Sequence, residues 1–261
     1  MTNFDRKVAL VAGGAQGLGS QIALALAVAG CAIAVSYLHS KRECEQLVRQ
    51  LQKRGVDAIA IRADMTISRE IGELVALTER QLGKLDIVVN CVGPFIRERR
   101  RFAEYKLDEI GYLINSNLTS ALELDHAALP GMRSRGWGRI IHFGFAHAAE
   151  ARGWPHRAVY AAAKVALVSF TKTLAVEEAE HGITVNMICP GDIRGDHKQM
   201  TIEQVAGLTD PESPRGRPGS GEDVARAVSF LCDERADFVT GSIIDISGGA
   251  DPIRVWPLPE S

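Results

Sequence analysis

The chain has 261 residues, 46% of them hydrophobic, enough for one large α/β domain with a substantial core and no clear room for a second. A formal net charge of −2 and a pI of about 6.4 give no global basic field, so neither nucleic acid nor a membrane is expected as a partner. Cys31, Cys44, Cys91, Cys189 and Cys232 are odd in number and form no C-x-x-C pair, which predicts free thiols in a reducing, cytoplasmic setting and no metal site.

The opening "MTNFDRKVALVAGG" runs straight into a strand pattern, with no charged region and long apolar stretch of a secretory leader. The apolar run "IALALAVAGCAIAV" is interrupted by Gly30 and is too short to span a bilayer. In chain order, Val8 to Gly14 reads as a buried parallel strand, and a helix follows that closes at Gly30. Ala32 to Tyr37 is the second strand, and "KRECEQLVRQLQKRG" is an amphipathic helix ending at Gly55. Ala58 to Asp64 is a strand, Ser68 to Leu82 a helix, and Leu85 to Gly93 the fourth strand. One long helical region is predicted over about Leu107 to Ser134. "GRIIHFG" is a strand, Ala158 to His181 a helix and "GITVNMICPG" a strand; Ser220 to Asp233 is the last helix and "SIIDISGG" the last strand.

This alternation predicts a single-domain, doubly wound (Rossmann-type) α/β fold, a seven-stranded parallel sheet with helices on both faces. The domain is expected over residues 1–261, with a substrate-loop region at 195–220 and a C-terminal tail at 250–261. Within that loop, Thr209 to Gly221 is dense in Pro and Gly, and reads equally as a mobile lid or as a passive connector.

"GGAQGLG" places Gly13, Gly17 and Gly19 between the first strand and the first helix. Backbone N–H groups and the helix N-terminus can hold a phosphate there: Gly13 permits the turn, Gly17 a close approach, and Gly19 tight helix packing. At the end of the second strand Tyr37 stands where an acid would hold a ribose 2′-hydroxyl, and His39, Ser40, Lys41 and Arg42 follow. Missing negative charge beside cations suits a 2′-phosphate, so NADP (NADPH) is expected over NAD; the competing reading is a solvated first helical turn. Tyr160 and Lys164 lie four apart on a predicted helix and share a face. An ammonium about 4 Å from the phenol contributes roughly 1–4 kcal/mol towards phenolate, so Lys164 is expected to tune Tyr160 as an acid–base group.

On these motifs the chain resembles the short-chain dehydrogenase/reductase family over nearly its whole length, from "ALVAGGAQGLG" to "DFVTGSIIDISGG". The marks are "AGGAQGLG" with Ala12 at the family's usual Thr, "RADMT" with Asp64, "NCVG" from Asn90 to Gly93, "NSNLTS" with Asn117, "YAAAK" and "CPGD". The resemblance implies an NAD(P)-dependent oxidoreductase acting on a small-molecule carbonyl substrate. Within the family it looks most like 3-oxoacyl-(acyl-carrier-protein) reductases, with some similarity to pteridine reductases. It implies Tyr160 as proton donor, Lys164 as its partner and Asn117 as holder of a relay water. The implied cofactor set is Gly13, Gly17, Leu18, Gly19, His39, Ser40, Asp64, Met65, Asn90, Gly93, Tyr160, Lys164, Pro190, Gly191 and Ile193. It also implies a homo-oligomer, tetramer or dimer, assembled through the helices around Leu107 to Ser134 and Ala158 to His181.

The chain departs from that pattern where relatives carry a catalytic serine. Aligning "GRIIHFG" puts Phe145 on the serine's position, whereas the family's usual spacing counted back from Tyr160 lands on His147. Either no side chain replaces the hydroxyl, or His147, or His156 further on, brings an imidazole to the carbonyl. Gly195 stands where relatives often have a Thr near the nicotinamide. Losing one oxyanion donor costs roughly 10² to 10³ in rate, against accelerations of about 10⁶ or more, so a slower enzyme is expected. The rival expectation is a cofactor-binding sensor or scaffold. The basic run Arg97 to Arg101 reads as a solvated face, Trp154 as packing or site rim, and Trp256 in the tail as a contact to a neighbouring subunit.

Overall fold

The computed structural model describes residues 7–96 and 98–253. Runs of apolar residues without alternation make strands buried on both faces, as parallel strands covered by helices must be. Seven form: β1 Val8–Ala12, β2 Ala32–Tyr37, β3 Ala58–Arg62, β4 Ile87–Asn90, β5 Gly138–Phe143, β6 Ile183–Pro190 and β7 Ile243–Ile246. All pair in parallel in the order β3-β2-β1-β4-β5-β6-β7. Leu10 registers with Ala34 on one side and Val88 on the other, so the order of growth reverses between β1 and β4. In folds of this kind ligands bind at that switch point, beyond the strands' carboxyl ends.

The helices are α1 Gly17–Val28, α2 Lys41–Gln52, α3 Ser68–Leu82, α4 Leu107–Ile114, α5 Ser120–Arg135, α6 Ala158–Glu178, α7 Ile202–Val205 and α8 Gly221–Cys232. Ile22, Leu26, Leu51, Val224 and Val228 cover one sheet face; Leu74, Leu124, Met132 and Leu174 cover the other. Helix α6 continues by a tight turn to His181 and is apolar and long enough in composition to cross a membrane. Half of it is buried in this protein, as the core helix behind Tyr160 and Lys164.

One element differs from expectation. The predicted helix over Leu107 to Ser134 is two helices joined by a wide π turn, Asn115–Thr119. Side chains there compete for the helical carbonyls: Ser116 Oγ donates to Tyr112 O (2.6 Å), Ser120 Oγ to Ser116 O (2.8 Å) and Asn117 Nδ2 to Leu113 O (3.1 Å). That competition loosens the regular ladder. The loop region 195–220 is also not featureless, holding a tight turn at Gly195–Gln199 and the short α7 before Ser220 caps α8. Of the C-terminal tail, 254–261 lies outside the described residues, Trp256 included.

Candidate active site

The glycine turn is built as the sequence spacing requires. Gly13 takes φ +70° against Val92, and its N–H donates to Ser36 Oγ (3.1 Å). A β-carbon on Gly19 would stand 2.7 Å from Gly14 Cα, so only glycine lets α1 start this close. The first turn of α1 carries no acidic residue, and Gln16 does not cap it. Instead Gln16 Nε2 donates to Ser40 Oγ (3.1 Å), joining the glycine turn to the end of β2.

At that end Tyr37 is half-buried, and His39, Lys41 and Arg42 are exposed. Lys41 leans to Glu45 (3.8 Å), while Arg42 forms no ion pair among the described residues. Asp64 Oδ1 accepts from Thr66 Oγ1 (2.7 Å) and Thr66 N (2.9 Å), bonds that hold its carboxyl below the usual range. Met65 is buried beside it, and Asn90 Oδ1 accepts from Val92 N (3.1 Å).

Just past β4, Asn117 and Lys164 converge on Gly93. A β-carbon there would stand 2.9 Å from both Asn117 Oδ1 and Lys164 Nζ, so any side chain at this position closes the space. Asn117 Nδ2 donates to Pro94 O (3.0 Å) as well as to Leu113 O, while its buried Oδ1 has no hydrogen-bond partner among the described residues. Tyr160 lies one turn before Lys164, whose Nζ is 6.0 Å from the Tyr160 ring centre. Beyond β6, Gly191 N donates to Ile246 O (3.0 Å), Ile193 is buried, and Ser247 crowds any β-carbon on Gly191 (2.8 Å).

Phe145 is 5% exposed, with its ring 6.0 Å from Tyr160 and 4.7 Å from Trp154. Phe95 meets Tyr160 edge-on at 5.0 Å, and Trp154 stands 6.2 Å from it. Three rings therefore surround the tyrosine. His147 is engaged elsewhere: Nδ1 bonds Glu150 (2.7 Å) and lies 3.7 Å from Asp245, and its N–H donates to Asp245 Oδ1 (3.0 Å). Phe145 therefore packs beside Tyr160, while the bonds of His147 run to Glu150 and Asp245. The connector absorbs its extra length in left-handed backbone at His147, Ala151 and His156, the non-glycine residues with positive φ among those described.

Comparison with known proteins decides the family. Residues 13–251 match the family described as Enoyl-(Acyl carrier protein) reductase. YtkK of Bacillus subtilis, a candidate oxidoreductase, is 40% identical over 251 residues, covering 94% of this chain and 97% of its own. The chain belongs to the short-chain dehydrogenase/reductase family. Among solved structures of similar chains, a candidate 3-oxoacyl-reductase from Bacillus thuringiensis is 39% identical with TM-score 0.89, covering 95% of this chain and 99% of its own. A blue fluorescent protein from a metagenomic library, solved with NADPH, is 33% identical with TM-score 0.82, covering 95% and 98%.

As a short-chain dehydrogenase/reductase, the chain is an NAD(P)-dependent oxidoreductase by family, with an unusual electrostatic balance at its tyrosine. The expected lowering of the phenol pKa by Lys164 is not what the structure gives. Burial in the ring cluster, and then the neighbouring Cys189 thiol, push the Tyr160 phenol up. Lys164 is itself desolvated, which pushes its ammonium down to about 8. Burial wins because three apolar rings displace water from the phenol. Phe95 is a site residue that sequence reasoning does not find: it sits in the extended stretch after β4, where the local sequence shows only the neighbouring arginines. Trp154, expected as packing or rim, does line the tyrosine.

Proposed function

We propose that the chain is an NADP-dependent reductase of carbonyl substrates, 3-oxoacyl-like by class, with Tyr160 as the one side-chain proton donor. The observation that carries this is the convergence of Asn117 Oδ1 and Lys164 Nζ on Gly93, one helical turn from Tyr160, at the carboxyl ends of the strands. The glycine turn and the N-terminus of α1 suit the diphosphate, and Gly93 leaves the depth for a ribose. Arg42, with His39 and Ser40 at the end of β2, suits a 2′-phosphate. A similar structure holds NADPH, and another carries the 3-oxoacyl-reductase description.

When bound, the nicotinamide supplies hydride to the substrate carbon. Tyr160, kept protonated by its apolar surroundings, gives its proton to the substrate oxygen. Lys164 holds the ribose hydroxyls, and Asn117 Oδ1 accepts from a water that refills the proton path. No hydroxyl faces the carbonyl from Phe145, so the phenol carries the oxyanion alone. The loop region 195–220 forms the substrate side of the cleft, and a cytoplasmic location agrees with five free thiols. A second copy of the chain is the expected assembly partner.

The test is NADPH oxidation by the purified protein with a 3-oxoacyl thioester, a simple ketone and a pterin. Tyr160→Phe should lower kcat by about 10² or more while leaving NADPH affinity near wild type. NADPH binding without turnover of any of the three would favour a cofactor-dependent sensor instead, the reading that Phe145 at the serine's place supports.

A further inference from the structure

Phe95 and Trp154 stand steeply to the Tyr160 ring, at 82° and 70°, and are tilted only 36° from one another, with ring centres 6.4 Å apart. Phe145 packs on Trp154 at 4.7 Å and is sealed in, at 5% exposed. The other two rings are not sealed. Phe95 is 41% exposed and Trp154 is half-buried, so both keep ring surface for a ligand to cover.

Arg157 braces both of these rings. Its guanidinium lies over Phe95, 4.5 Å from the ring centre, and its Nη1 donates to Glu98 O (2.8 Å) and His156 O (3.0 Å). Its backbone N–H donates to Trp154 O (3.1 Å). Arg157 is buried, and a cation–ring contact is strongest where water is excluded. Rings fixed in this way lose little freedom when a ligand covers them. The wall is also poor in hydrogen-bonding groups, the indole N–H being the one polar atom of its three side chains. His147, two residues after Phe145, is turned to Glu150 and Asp245. A substituent held here gains from π contacts, whereas a hydroxyl, an amide or a charge would lose its water against the two phenylalanines.

We infer that Phe95 and Trp154 select a carbonyl whose carbon carries an aromatic ring. These rings flank the phenol that must touch the ketone oxygen, so one of the two groups on the carbonyl carbon lies against them. The inference rests on the reductase reading above and narrows its 3-oxoacyl class to 3-aryl members. The ketone gains a hydride from NADPH and the Tyr160 proton, giving a benzylic alcohol and NADP⁺, and solvent returns the proton to Tyr160.

The test compares ethyl 3-oxo-3-phenylpropanoate with ethyl 3-oxo-3-cyclohexylpropanoate, alike in size but flat in one and puckered in the other. Conjugation makes the phenyl ketone the less reactive in solution, so a preference for it reports contacts in the site. The wild-type chain should show kcat/KM about tenfold or more higher for the phenyl ester, as two aromatic pairs allow. Trp154→Leu and Phe95→Leu should each cut that ratio about threefold or more. NADPH affinity near wild type, by fluorescence titration, shows that a variant is folded; should one variant not fold, the wild-type ratio and the other variant decide. A wild-type ratio of one or below, or a ratio that neither substitution lowers, overturns the selection. Turnover of a 3-oxohexanoyl thioester but of neither ester also overturns it, and leaves the reductase reading standing. No turnover of any of the three, in a chain that binds NADPH, overturns the reductase reading and the selection with it.

Discussion

Lys164 is 3% exposed, and the titratable groups that shift it besides burial are the thiols of Cys189 and Cys91. Its ammonium is held at a cost, because burial lowers its pKa from 10.5 to about 8. The unfolded lysine keeps its proton up to the higher value and the native one only to the lower. Between them the unfolded state binds more protons, so stability rises with pH over that window. Lys164→Met should therefore stabilise the protein at pH 7, by up to about 3 kcal/mol, and the gain should shrink as pH approaches 10. Urea midpoints at the two pH values check this, and a variant weaker than wild type at pH 7 would contradict it. The same ammonium is the proposed ribose ligand, so NADPH affinity should fall as pH rises through about 8. At this scale the tyrosine and the lysine are legible in the sequence by type and spacing, and the asparagine only through the family resemblance. Phe145 and His147 stay open there because spacing counts residues and cannot see the left-handed turns at His147, Ala151 and His156 that take up the surplus.

Elements are locked together by a buried polar cluster that the strand pattern conceals. His142, on β5, places Nδ1 2.7 Å from Thr171 Oγ1 on α6 and Nε2 2.8 Å from Asp125 Oδ2 on α5, all within the core. Thr171 donates its single hydroxyl proton to Leu167 O (2.7 Å), so His142 Nδ1 must be the donor to Thr171. The cluster ties the catalytic helix α6 and the helix following Asn117 to the same strand. His142→Ala leaves Asp125 buried without this partner and opens a cavity, so it should lower stability by about 3–5 kcal/mol, read as a fall in the urea midpoint. An unchanged midpoint would show the cluster idle. Apolar runs and capping signals make the strands and most helices legible in the sequence. The break between α4 and α5 is not, because "NSNLTS" carries no Gly or Pro. The hydroxyl and amide bonds that widen the turn depend on where Pro94 and the preceding helix lie.

For the whole molecule, sheet order follows from the strict βαβ alternation, but what covers the outside does not. The sheet ends on one side at β7, an edge with unpaired backbone groups that proteins ordinarily cover or blunt. Beside this end of the fold, Phe238 is 99% exposed and Phe230, on the neighbouring α8, is 54% exposed. Leu107, at the start of α4, and Val176, near the end of α6, are also largely in solvent. Large apolar side chains left in solvent near β7 and on α4 and α6 suit burial between identical copies of the chain. Sedimentation should therefore give a multiple of 28.2 kDa, with a tetramer expected. Phe238→Asp places a charge in one interface only, so it should reduce the assembly to dimers and leave the remaining contact intact. A wild-type chain that sediments as a monomer at micromolar concentration would refute the assembly. A variant that remains tetrameric would move the interface away from the β7 edge.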